Sequence, residues 1–172
     1  MVSFPLYQPE FGYELPRTHV SDVDLPYYTF VKLGDVNGNN KDTKITLAGP
    51  GDIPIGVVIP EVGDDFMVVS DPNGYGDGIM PRTGYKAGQD YPRVVIFGDV
   101  LVKVAVGASV IAGQSGVVGV GGLANVFVAP TVSATPTGAQ VTAYSDAKNT
   151  IAGTFIDSGT AGQYVRIFMK MR

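Results

Sequence analysis

Between residues 104 and 145 the chain runs for 42 residues without a single Lys, Arg, Asp or Glu. A membrane-spanning helix would need about 20 consecutive, mainly apolar residues. Here Gly107, Ser109, Gly113, Gln114, Ser115, Gly116, Gly119, Gly121, Gly122 and Asn125 interrupt the run. Glycines at that density break a helix and leave its backbone ill suited to lipid. The run is therefore expected to form strands and turns of a soluble domain. Two readings stay open. Strands buried on both faces lose their polar alternation, and on the first reading the run is ordinary core. Yet turns at 119–125 and 130–138 would ordinarily lie on the surface and carry charge. A surface covered by another subunit would be charge-poor, because interface cores are depleted in charged residues.

The rest of the sequence carries the same grammar. Short apolar or alternating segments at 28–33, 44–47, 55–59, 66–69, 93–97, 99–104, 109–111, 116–120, 125–129, 151–156 and 164–171 are each punctuated by Gly, Pro or Asp. That predicts ten or eleven strands. No twelve-residue window free of Gly and Pro shows a 3.6-residue apolar stripe, and the best helix candidate, 139–148, is weak. The fold class is all-β, a sandwich or a small closed barrel. Segments 54–69 and 151–168 each read as a Gly-containing strand leading through a turn into a second strand, a faint echo of one hairpin module.

Two segments stand apart. Residues 1–26 hold four prolines and the aromatics Phe4, Tyr7, Phe11 and Tyr13. Prolines favour extended chain and aromatics need something to bury against. The segment is either an arm lying along a partner or a strap on its own domain, which would span 27–172. Residues 71–92 form a long Gly- and Pro-rich loop with Tyr75, Tyr85 and Tyr91. Long loops inside domains are usually functional, and tyrosine suits a contact surface; a solvent loop with incidental tyrosines is the plainer alternative.

Composition closes off most chemistry. With no cysteine, disulfides and thiolate metal sites are excluded, and with one histidine, His19, so are histidine-cluster metal sites. Net charge is −4 with no basic run, which disfavours nucleic-acid binding. No basic residue precedes Gln8, and Pro5 and Pro9 interrupt the opening. No secretory leader or membrane anchor is expected, and the chain is read as made and kept inside the producing cell until assembly. The sequence from Asp35 to Asn40 brushes a calcium-loop pattern, but Asn40 stands where Gly is needed and Thr46 where Glu is needed, so a polar turn is expected. Asp64 and Asp65 are adjacent and would point to opposite faces of a strand. No catalytic residue, metal site or cofactor is expected, and no enzyme.

The Pro/aromatic opening, the 55–58 and 100–104 strands, the V-x-x-G turn at 110–113 and the closing 151–156 and 162–167 segments together resemble phage capsid decoration proteins, also called cement or head-stabilising proteins. The resemblance covers most of 27–172. It implies a compact β-barrel or β-tulip that forms homotrimers and sits on the outer capsid surface of the virion. It implies binding to the major capsid protein through an N-terminal arm, here anchored by Phe4, Tyr7, Phe11 and Tyr13. Tyr75, Tyr85 and Tyr91 would be loop contacts. The subunit interface would use Val117, Val118, Val120, Leu123, Val126 and Phe127. No cofactor is implied. The alternative is a carbohydrate-binding or adhesin module of a phage tail or fibre, with Tyr75, Tyr85 and Tyr91 stacking on sugars.

Overall fold

The computed structural model describes residues 12–60, 67–69, 78–80, 83–88 and 91–170. In chain order the strands are β1 (Gly12–Glu14), β2 (Leu25–Pro26), β3 (Phe30–Leu33), β4 (Ile45–Leu47), β5 (Gly56–Ile59), β6 (Met67–Val69), β7 (Gly78–Met80), β8 (Gly84–Tyr85), β9 (Arg93–Lys103), β10 (Ser109–Val110), β11 (Ser115–Val118), β12 (Ala124–Val126), β13 (Gly153–Phe155), β14 (Gly159–Thr160) and β15 (Tyr164–Met169). Among the described residues one α-helix, α1 (Gly138–Asn149), lies between β12 and β13. The all-β expectation holds, with this helix as the exception.

Eight strands make one curled antiparallel half-barrel in the order β12-β11-β13-β15-β9-β5-β3-β4. Its axis is β9, eleven residues long, which the sequence reads as two strands broken at Gly98. The strand instead runs through Gly98, which takes a φ of 111° that a side chain would resist. The glycine bends the strand without ending it. On one edge of β9, β15 pairs with residues 98–103 and β1 continues along 95–98, meeting it end to end at Gly98. The curl brings β12 back to the end of β9, where the Ala105 N–H donates to the Ala124 carbonyl at 2.8 Å.

Around β3, β4, β5 and much of β9 both faces of this sheet are buried, whereas the outer face of β12, β13 and β15 is open at Asn125, Thr154 and Phe168. Phe30, Val57, Ile59, Val95, Val100, Val102, Phe155, Val165 and Ile167 pack on one side. Val31, Val58, Val94 and Leu101, their neighbours in sequence, pack on the other with Leu25, Tyr27, Tyr28 and Tyr85. Successive side chains of a strand point to opposite faces, so a sheet covered on both sides needs unbroken apolar runs such as Gly56–Ile59, which is buried throughout. Each fully buried Val, Leu, Ile or Phe contributes about 1.5–3 kcal/mol.

The cover on the second face comes partly from the N-terminal segment. Leu15 and Val23 pack against it and Leu25 is completely buried. Of the two readings of 1–26, its described part, 12–26, is thus a strap on the domain, and Phe4, Tyr7 and Phe11 lie outside the described residues. The hairpin echo fails at its first copy: β6 pairs with β7, while β5 pairs with β3 and β9. Helix α1 forms because Thr137 and Gln140 make a capping box. The Gln140 N–H donates to the Thr137 hydroxyl at 3.3 Å and the Thr137 N–H to Gln140 Oε1 at 3.0 Å. That T-x-x-Q signature is visible in the sequence and outweighs the absence of an apolar stripe.

Candidate contact surfaces

The first surface is built where β1 meets β9. Register places Tyr13 opposite Phe97, and the Leu15 N–H donates to the Val94 carbonyl at 2.8 Å. The Arg93 guanidinium fixes the strand further: its Nε donates to both Glu14 oxygens at 2.9 Å and its Nη2 to Oε1. Bidentate pairs of this kind give direction as well as energy. Thus held, the Tyr13 ring lies 6.1 Å from Phe97, and Phe97 lies edge-on to Phe168 at 5.4 Å. Tyr13 is 60% exposed and Phe168 43%. Three rings from three strands form an aromatic row open to solvent. Sequence reasoning named Tyr13 alone. Phe168 was findable: β15 alternates, and Phe168 falls on the outward side with Arg166, where a polar residue is the norm.

Of the loop tyrosines, the two that are described, Tyr85 and Tyr91, do not form one exposed surface. Tyr75 lies outside the described residues. Tyr85 corrects its expectation as a surface contact: it is buried, its ring stands edge-on to Tyr27 at 5.4 Å, and its hydroxyl donates to the Ile59 carbonyl at 3.1 Å. Residue 85 pairs with Leu25 of the strap, which turns it inward. Of the two described, Tyr91 is the exposed one, at 56%.

The charge-free run divides between the two readings. Val118 and Ala124 are core, and Val126 packs against that core, so Val118 is taken up within its own chain and is not free to form a subunit interface. At Gly116 an added Cβ would stand 2.7 Å from Ile167 and 3.0 Å from the Phe155 ring; this glycine exists to let β11 lie on the core. Val117, Leu123 and Phe127 are half-buried, and Val120 is exposed at the tip of a short 3-10 turn, Val120–Gly122. Val106, Ile111 and Val128 are also exposed apolar residues of this run.

Charged side chains are occupied locally. Asp35 is buried and its carboxylate accepts from the Asn37 and Asn39 N–H groups at 2.9 and 3.0 Å and from Asn40 Nδ2 at 2.9 Å. The Asn39 bond above all holds its pKa below the ordinary value, against the opposing cost of burial. The calcium-like stretch is thus a polar turn closed on Asp35. Arg166 grips Asp157 through Nε and Nη2, both at 2.9 Å, and lies 3.8 Å from Asp99. His19 Nδ1 lies 3.2 Å from the hydroxyl of Thr18, its neighbour on the strap. Among the described residues, no group of three or more His, Cys, Asp or Glu side chains is placed to share a metal ion, and no helix is long and apolar enough to cross a membrane. Asp64 and Asp65 lie outside the described residues.

No protein-family model matches the chain, and no curated protein matches it in sequence. Among solved structures, it is similar to the one described as the crystal structure of head fiber gp8.5 N base in bacteriophage phi29. The TM-score is 0.52 at 13% identity, over 93% of each chain. At that identity the likeness is one of fold, and it spans nearly the whole of both chains.

Proposed function

We propose that this chain is a structural protein of a phage head, bound to the outer surface of the shell and stabilising it by contacts with the coat protein. The observation that carries this reading is the fold shared over 93% of both chains with the base of a phage head fibre. The surface chemistry agrees. The aromatic row Tyr13–Phe97–Phe168 is exposed, rigidly backed by β9, and stands where the chain enters from residues 1–11. Aromatic side chains dominate contact energies at protein interfaces. In this reading the row and the N-terminal residues together grip coat protein, and copies of the chain associate with one another in a trimer. Many modest contacts repeated over a shell add through multivalency. The sugar-binding alternative asked for Tyr75, Tyr85 and Tyr91 as one platform; with Tyr85 in the core that platform is not built.

The test uses heads of the encoding phage prepared without this protein. Full-length chain is expected to co-sediment with them in a saturable way. Deleting residues 1–11, or combining Tyr13→Ser with Phe168→Ser, should weaken binding at least about tenfold, since truncated hot-spot aromatics each cost about 2 kcal/mol or more. Undiminished binding by both variants would remove the aromatic row and the N-terminus from the contact.

A further inference from the structure

We propose that residues 127–150 are the segment through which copies of this chain associate, each packing against the same segment of its neighbours. The proposal rests on the self-association in the reading above, and moves it from the sheet wall to this excursion.

The segment is pinned at both ends to one strand. The Phe127 N–H donates to the Ser115 carbonyl, and the Ala152 N–H, just past its end, donates to the Gly116 carbonyl, both at 2.8 Å. The two ends therefore sit on adjacent residues of β11. Between them run 24 residues, and not one is buried. Val128, Val132 and Val141 are 82%, 38% and 54% exposed. The segment nonetheless contains α1, twelve residues closed at its start by a capping box. An isolated helix of about this length is marginal in water, and helices in proteins are held chiefly by packing. Helix α1 buries no residue within its own chain and rests there on its end caps, which leaves its packing to a partner.

Charge identifies the partner. The chain carries −4, so its copies repel except where charge is absent. Near a symmetry axis a residue meets its own copy, and any charge there faces a like charge. Residues 127–145 hold no charged side chain, and the remainder holds Asp146 and Lys148, one of each sign. The size also fits: about 20–30 residues per side make a standard interface. A second copy of this chain is thus the occupant that the surface suits without any change of sequence.

Native mass by light scattering tests this without any capsid, so its outcome is independent of head binding. The wild-type chain should have a mass of at least twice 18.1 kDa. The combined Val128→Asp, Val132→Asp and Val141→Asp variant should fall to the mass of one chain with its β-sheet circular dichroism retained. A control with Val36→Asp and Ile53→Asp, equally exposed positions outside the segment, should keep the wild-type mass. A monomeric wild type, a triple variant of unchanged mass, or a control that dissociates as fully would each overturn the proposal.

Discussion

Asp157 is bridged to Arg166 of β15 by two bonds of 2.9 Å, and that pairing, foremost, holds its pKa below the ordinary carboxylate value of 3.8. A carboxylate lowered on folding stabilises the native state at pH above its unfolded value and loses that contribution as pH falls through the folded one. The melting temperature of the wild-type chain should therefore fall as pH is lowered from about 5 to about 2. Asp157→Asn should melt lower at pH 7 and converge on wild type at the acid end. A constant gap at every pH would assign the cost of the substitution to packing. Asp35, held low above all by the Asn39 N–H, and Asp52, where the cost of burial is outweighed by Lys32 and the Gly49 N–H, add to the acid slope of both proteins and leave the difference between them unchanged. At this scale the sequence was only partly legible. The Asp35–Asn40 turn could be read because its chemistry is local. Tyr85 could not, because a turn-rich neighbourhood suggests surface, while the partner that turns it inward, Leu25, lies sixty residues earlier in the chain.

Strand punctuation is the most legible level of this protein. Glycine and proline mark nearly every strand end, and the predicted strands recur within a few residues of their places. The misreadings have physical causes. Gly98 reads as a stop but acts as a bend, because pairing continues on both sides of it, with β1 along 95–98 and β15 along 98–103. Helix α1 reads as weak because its apolar residues are few and its start signal, Thr137 and Gln140, is a polar one. The same distinction separates glycines with packing duties from those without. Gly116→Val forces its added carbons against Ile167 and Phe155, and overpacking of this kind costs about 1–3 kcal/mol. At Gly138, in the first turn of α1, an added Cβ meets nothing within 4 Å. Urea unfolding should therefore show a lower midpoint for Gly116→Val and an unchanged or higher one for Gly138→Ala. Equal midpoints for the two variants would mean that β11 does not lie on the core as described.

Around β3, β4, β5 and much of β9 the sheet is buried on both faces, by the barrel interior on one side and by the strap with Tyr85 on the other. The β4 edge is covered too, as the Ile45 N–H donates to the Val20 carbonyl and the Val20 N–H to Thr43, both at 3.0 Å. Most of the apolar residues of the charge-free run's strands are thus spent inside the domain. What remains outside is a small set of unusual surfaces: the aromatic row at β1, the apolar turn tips and the 127–150 excursion. Under the proposed function these would be the contact features, carried on a fold similar to that of the base of a head fibre. Sheet order, and which face the strap covers, were not legible, since no local pattern encodes which distant strand becomes a neighbour. The proposed function requires attachment to the outside of a phage head, and cryo-electron microscopy of heads from the encoding phage would show it. It predicts density for this half-barrel at regular positions on the outer surface, absent from heads made without the protein; identical density in both preparations would contradict it.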